Sequence, residues 1–289
     1  MRAFISETAA MNDVNSSLLR NSFSQKAVHL HAMKYILLLL TVLALGLASC
    51  RKKKQEPDPA DPAPATTGTL RINFVTKFNG APFTFYTDYY NPLNQRVQFE
   101  IFKFFCTNFY AYNAAGDSVL VKDAFKYDFA TGATYFSVPM QPGDYTGMKL
   151  GYGVDSSRNH LDPTAYDPKH PLSYNQANSM HWGWTAGYIF MKFEGRADTS
   201  GTGTGPLDVF LAFHPGNDVC YEPSPFLPKN FNVTVGQTTV LNLAMHVDQF
   251  FTTATDTLDF RYDNFTHFTD NPGLAKIISK NIAKSFAFE

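Results

Sequence analysis

The sequence predicts an all-β protein, built as an antiparallel β-sandwich with long loops and a C-terminal amphipathic helix. Most of the chain after residue 68 consists of short segments in which apolar and polar residues alternate. Turn residues separate these segments, and no long amphipathic helix lies among them. The aromatic content of 15% suits a core between two sheets.

The first element has the clearest alternation. In TLRINFVTKF, Leu70, Ile72 and Phe74 point to one face and Arg71 and Asn73 to the other. The segment RVQFEIFKFFCTNFYAYN repeats this period of two, and a turn in NAAGDSVLV leads to the next strand. Further predicted strands are Thr134–Val138, Tyr145–Tyr152, Gly187–Phe193, Leu207–Phe213 and Phe231–Leu243.

The end of the chain changes period. Apolar residues recur at helical spacing, with Pro272 at an early position and Asp270 or Asn271 placed to cap. We predict one amphipathic helix from Asn271 to about Lys284, with Leu274, Ile277, Ile278 and Ile282 on its apolar face.

Residues 33–49 have the pattern of a signal peptide, because one lysine precedes an apolar run too short for an ordinary membrane span. The run ends in Leu47-Ala48-Ser49-Cys50, which resembles the lipobox of bacterial lipoproteins. The resemblance implies that Cys50 is lipidated and becomes the mature N-terminus. The alternative is a plain secretory signal with a chance cysteine.

These segments divide the chain. We interpret residues 1–32 as an unstructured or wrongly assigned leader, residues 50–68 as the lipidated cysteine and a flexible linker, and residues 69–289 as one β-sandwich domain. The expected location is the cell envelope, with the membrane as a partner through the N-terminal lipid. A net charge of −1 argues against nucleic acid as a partner.

Two cysteines, Cys106 and Cys220, remain after lipidation. In an oxidising compartment they are candidates for one disulfide, and two buried free thiols are the alternative.

The segment from Gly153 to Met180 is long, polar and rich in Pro and Asn, which is typical of a functional loop. Phosphate loops, nucleophile elbows and HExxH motifs are missing from the sequence, whereas histidines are frequent. We expect loops at one end of the sandwich to bring His160 and His214 together as nitrogen ligands for copper. We interpret His170 and His267 as surface or hydrogen-bonded residues, and His246 as a polar residue on a strand.

The central segment GVDSSRNHLDP…HPLSYNQANSMHWGWTAGYIFMKFEG resembles the signature of the MbnP family of methanobactin-associated copper-binding proteins. The element FHPGNDVC, with His214, Gly216 and Cys220, is also similar to the family, and so is the C-terminal segment containing His267. The chain departs from the family pattern at Pro215 and in the Ser-Tyr-Asn tripeptide after Leu172.

The resemblance implies an extracytoplasmic protein that binds copper, as Cu(I) or Cu(II), and is not an enzyme. It implies His160 and His214 as ligands, with His181 next. It also implies that Trp182 or Trp184, beside Met180, is oxidised to kynurenine by a partner that is similar to a dihaem cytochrome c peroxidase.

Strand geometry ranks His181 third among the ligands. If this segment is a strand, Trp182 and Trp184 share one face and His181 points to the other. The alternative role for both tryptophans is packing in the core, with hydrogen bonds through Nε1.

Two rival functions remain open. Tyr86, Tyr89 and Tyr90 could form an aromatic surface that binds a glycan or a protein partner, although an aromatic core also explains them. Three histidines with a water could instead form a zinc hydrolase site. No acid or base is evidently paired with those histidines.

Overall fold

The computed structural model describes residues 66–289 apart from Asn178, Trp184 and residues 253–256. The leader, the signal peptide, Cys50 and almost all of the linker lie outside the described residues. Within the described part, no helix is long and apolar enough to cross a membrane.

The described chain is mostly strand, as predicted. The strands are β1 (Gly68–Phe78), β2 (Ala81–Pro82), β3 (Tyr89–Tyr90), β4 (Arg96–Tyr112), β5 (Ser118–Asp128), β6 (Tyr135–Met140), β7 (Gly143–Tyr152), β8 (His181–Gly183), β9 (Gly187–Tyr188), β10 (Met191–Asp198), β11 (Val209–His214), β12 (Glu222–Pro223), β13 (Leu227–Val233), β14 (Thr238–His246), β15 (Phe265–His267) and β16 (Phe286–Phe288). The helices are α1 (Ser156–Asn159) and α2 (Pro272–Lys284), with 3-10 turns at Pro163–Ala165, Asp218–Cys220 and Val247–Phe251.

Two large sheets carry the fold. Sheet A has the order β16–β14–β1–β2, with β6 also paired to β1. Sheet B has the order β12–β7–β4–β10–β11–β15, with β13 on β7 and both β3 and β5 on β4. Strands β8 and β9 form a separate two-stranded hairpin. Most pairs are antiparallel, but β1–β14 and β11–β15 are parallel, which the alternation of the sequence did not indicate.

Aromatic rings from both sheets fill the core. Phe74 of β1 lies 6.0 Å from Phe104 and 6.3 Å from Phe109, both on β4, and 5.1 Å from Phe125 on β5. On β1, buried and half-buried residues alternate along the whole strand, which confirms the predicted faces. The all-β sandwich and the C-terminal helix are therefore confirmed.

Two predicted strands prove to be pairs of strands. The segment Phe231–Leu243 is broken between β13 and β14 by a turn in which Gly236 has a φ of 71°. The segment Gly187–Phe193 contains β9 and the start of β10, separated at Ile189 and Phe190. The two errors differ in cause. Residues 234–237 form an exposed turn that the prediction ran through, whereas Ile189 and Phe190 are buried, so apolar residues continue through the second break.

The long loop lies on the outer face of sheet B. His170 donates from Nε2 to Asp123 of β5 at 2.7 Å, and Lys126 of β5 donates to the carbonyl of Gln176. Phe105 of β4 lies beneath this layer and contacts Tyr188, with ring centroids 5.5 Å apart. The covering explains why β4 is buried on both faces from Phe104 to Thr107.

Candidate functional site

Two histidines from neighbouring strands meet at the edge of sheet B. His214 ends β11 and lies opposite His267 in the parallel register of β11 and β15. Nδ1 of His214 and Nε2 of His267 are 3.2 Å apart. We call His214 and His267 the histidine pair.

The alternation of strand residues places the histidine pair on the outer face of sheet B. Phe193 and Phe213 are register partners on β10 and β11, and both point into the core. Glu194 and His214 follow them and therefore leave the sheet on the opposite face. This brings the carboxylate of Glu194 to 2.8 Å from Nε2 of His214.

Each outer nitrogen of the histidine pair has a carboxylate partner. Oε1 of Glu194 is 2.8 Å from Nε2 of His214, and Oδ2 of Asp270 is 2.7 Å from Nδ1 of His267. Because an ionised carboxylate only accepts hydrogen bonds, both outer nitrogens are donors. The lone pairs of the two inner nitrogens then face each other, unless a proton lies between them.

This arrangement suits a cation. Two facing lone pairs repel unless one positive charge, a proton or a metal ion, lies between them. Metal-binding histidines almost always donate their second ring nitrogen to a carboxylate, carbonyl or water, and imidazole is a preferred ligand of copper. The residues present therefore fit a copper ion held by two nitrogens. Within the described residues, no group of three or more His, Cys, Asp or Glu side chains has the arrangement of a metal site.

Burial and charge act in opposite directions on His214. Burial lowers the pKa of His214, whereas the hydrogen bond and negative charge of Glu194 raise it. The first effect is the larger, so the neutral imidazole that a metal requires is favoured.

Aromatic rings enclose His267. Trp182 of β8 lies edge-on to His267 with centroids 5.6 Å apart, and Phe265 lies at 4.7 Å. Trp182 is 38% exposed and, with Asn217, His267 and Asp270, lines a cavity of about 300 Å³. Of the residues predicted from sequence, the structure thus brings His214 and Trp182 to the same place.

His181 lies in a different environment from Trp182. Its Nδ1 accepts from the backbone N–H of Gly183 at 3.1 Å, and its Nε2 is buried with no hydrogen-bond partner among the described residues. It borders a separate cavity of about 440 Å³ together with Tyr174. The two neighbours therefore line different cavities, in agreement with the alternation argument.

His160 also has its own partner. Nε2 of His160 lies 3.1 Å from Asp218, and the same carboxylate oxygen accepts from the buried Asn159. His160 has no hydrogen bond with His214 among the described residues, and the histidine that contacts His214 is His267. The joint binding of a metal by His160 and His214 stays a prediction.

The remaining candidates are placed as follows. Met180 is fully buried in the core. Cys106 and Cys220 are both buried free thiols, which is the second of the two alternatives. Trp184 lies outside the described residues.

Sequence reasoning missed His267, Glu194 and Asp270. His267 and Asp270 are three positions apart and form a local hydrogen bond, which gives no sign of a metal site. His267 reaches His214 only through the parallel pairing of two strands that are 53 residues apart at this point. The one available signal was the place of His267 in the segment that resembles the family.

Comparison with known proteins identifies the family. The MbnP family model matches residues 67–269. The chain belongs to the MbnP family. Among solved structures, MbnP from Methylosinus trichosporium is similar with a TM-score of 0.46 and 14% identity, covering 77% of this chain and 98% of that one. No curated protein matches the chain.

Proposed function

We propose that this protein is an extracytoplasmic, lipid-anchored copper-binding protein of the cell envelope, and that it stores, carries or presents copper without being an enzyme. The observation that carries the proposal is the histidine pair, whose inner nitrogens face each other at 3.2 Å while carboxylates hold the outer nitrogens. Membership of the MbnP family supports copper as the cargo. His214 and His267 are the proposed ligands.

Affinity for Cu(I), measured against a competing chelator, tests the ligands. We expect His214→Ala and His267→Ala each to weaken binding more than the roughly 10–100-fold that loss of an outer partner costs. His170→Ala is the matched control, because His170 also bonds a carboxylate, that of Asp123, and has no hydrogen bond with the histidine pair among the described residues. A double variant of the histidine pair that folds and still binds as tightly as the parent would end the proposal.

We further propose that Trp182 is the tryptophan that a dihaem peroxidase-like partner oxidises to kynurenine. Its indole is partly exposed and contacts His267, so an oxidant at the surface can reach it. In this reaction two molecules of hydrogen peroxide each deliver one oxygen atom and leave as water, so that the Cγ–Cδ1 bond breaks to give a ketone at Cγ and an N-formyl group at Cδ1. One water molecule then hydrolyses the N-formyl group and releases Cδ1 as formate.

Peptide mass mapping of protein produced together with the partner tests this assignment. We expect Trp182→Phe to abolish kynurenine and Trp184→Phe to leave it. Kynurenine found only at position 184 would contradict the choice of Trp182.

Exposed tyrosines far along the chain from the histidine pair support a second function, the binding of a glycan or a protein through aromatic residues. Tyr86 is 69% and Tyr90 44% exposed, and Tyr90 borders a cavity of about 490 Å³ with Asp248 and Gln249. Tyr89 is buried and stacks on Phe78 at 4.3 Å, so it belongs to the core instead. Binding here would survive chelator treatment, whereas copper binding would not.

A further inference from the structure

The six-membered ring of Trp182 rests on the backbone of Gly216. A Cβ added at Gly216 would lie 2.6 Å from Cζ3 and 3.2 Å from Cη2 of that ring. Real Cβ atoms essentially never come closer than 3.0 Å to another heavy atom. Any side chain at position 216 would therefore displace the indole or the backbone.

The backbone around Gly216 has little freedom to give way. Gly216 forms an isolated β-bridge with Ile189, and Phe190 donates from its backbone N–H to the carbonyl of Pro215 at 2.8 Å. The same added Cβ would lie 2.7 Å from the carbonyl oxygen of Tyr188. The surface under the indole is thus held by the residues that end and directly follow β9.

The φ angle does not explain a glycine at this position. Gly216 is not among the residues with positive φ, so its backbone is open to an L-residue. The requirement for glycine comes from close approach by Trp182 and by the Tyr188 carbonyl.

We infer that Gly216 is a positioning residue whose missing side chain lets the indole of Trp182 lie against the His267 imidazole. This inference rests on the proposed function, because it explains how the oxidisable ring comes to lie beside the histidine pair. With alanine at 216, the indole moves away from His267, and its contact at 5.6 Å is lost.

Tryptophan fluorescence tests the inference without copper or a partner enzyme. In a Trp184→Phe background Trp182 is the sole indole, since the chain has two tryptophans. We expect His267→Ala to change the emission intensity of Trp182, because imidazole in contact with indole quenches it. Gly216→Ala should shift the emission to longer wavelength, and in that variant His267→Ala should no longer change the intensity.

Gly273→Ala is the matched control. Gly273 also lacks a positive φ, and an added Cβ there meets nothing closer than 3.8 Å. This control should keep both the emission of Trp182 and its response to His267→Ala. An unchanged response in Gly216→Ala, or no response to His267→Ala in the parent, would overturn the inference.

A second variant decides the case in which Gly216→Ala does not fold. Trp182→Ala combined with Gly216→Ala removes the indole that the new methyl group would meet. Recovery of folding supports the inference. If folding is not recovered, the Tyr188 carbonyl alone excludes a side chain, and Gly216 does not serve to place the indole.

These measurements separate the inference from the proposed function. If this protein proves not to bind copper, the expected fluorescence results stay the same. Conversely, tight copper binding to His214 and His267 would say nothing about Gly216. In protein produced with the partner, Gly216→Ala should also lower the yield of kynurenine at position 182, and an undiminished yield would show that placement by Gly216 does not matter for oxidation.

Discussion

The carboxylate of Glu194 does more for His214 than a surface ion pair would, because both side chains are largely buried. It holds the proton on Nε2 and leaves the lone pair on Nδ1, which faces His267. Asp270 has the same relation to His267, although it is half exposed. The protonation of the histidine pair therefore depends on two carboxylates that lie outside the pair.

Replacement of Glu194 by glutamine tests this dependence. Glutamine keeps an acceptor oxygen but loses the negative charge, so the His214 imidazole becomes less basic and its Nδ1 becomes a weaker metal ligand. We expect Glu194→Gln to reduce affinity for Cu(I) by roughly 10–100-fold while the far-UV circular dichroism stays the same. Glu100→Gln, on β4, is the control and should bind like the parent.

His181 should make stability depend on pH. Burial lowers its pKa in the folded protein, so below about pH 6.5 the unfolded chain takes up the proton first. The free energy of unfolding should therefore fall as pH drops from about 6.5 towards the pKa of His181 in the folded protein. Above this pH range the stabilising contribution of the neutral His181 should be fully present.

Urea unfolding at a series of pH values measures this contribution. In His181→Asn the amide oxygen can still accept from the N–H of Gly183 but does not titrate. We expect this variant to lose stability less steeply on acidification than the parent. Equal slopes would mean that His181 does not contribute.

At the level of elements, capping decides where α2 begins. Oδ1 of Asn271 accepts from the backbone N–H of Leu274 at 3.1 Å, and Pro272 occupies the first turn, where its missing N–H costs nothing. The buried face of α2 includes Leu274, Ile278 and Ile282, whereas Ile277, which was also predicted on this face, is exposed. Because α2 packs on β15, its N-terminus also supports the strand that carries His267.

Loss of this cap should be measurable. We expect Asn271→Ala to lower the free energy of unfolding by about 1 kcal/mol, and Asn271→Ser to restore most of it. Chemical denaturation gives both values. A loss in the alanine variant that serine does not reduce would point to a role other than capping.

The whole molecule depends on aromatic contacts between its sheets. Phe104 of β4 is fully buried and lies 6.0 Å from Phe74 of β1 and 6.4 Å from Phe286 of β16. It therefore joins the centre of sheet B to two strands of sheet A.

Truncation at this point should be costly. We expect Phe104→Ala to lower the free energy of unfolding by about 3–5 kcal/mol, because a large cavity remains. Tyr262→Ala serves as the comparison, since Tyr262 is 78% exposed, and should change stability by less than about 0.5 kcal/mol. If urea titrations gave a similar loss in the free energy of unfolding for both variants, the proposed role of Phe104 in joining the two sheets would be wrong.

Local properties of the chain were readable before the fold was known. Alternation along β1 and the spacing and capping residues of α2 follow from backbone geometry within one element, and both were predicted with nearly the observed bounds. The opposite facing of His181 and Trp182 follows from the same geometry. Family membership was also readable, because the motif around Trp182 is contiguous in sequence.

Only the tertiary structure decided which histidines meet. His267 reaches His214 because β15 joins the edge of sheet B in parallel, and the short strand β15 shows no pattern that specifies its neighbour. Likewise, Gly216 lies under Trp182 because a bridge ties it to Ile189. Pairing between distant strands depends on packing over the whole core, so the period of a single strand specifies its faces but not its partners.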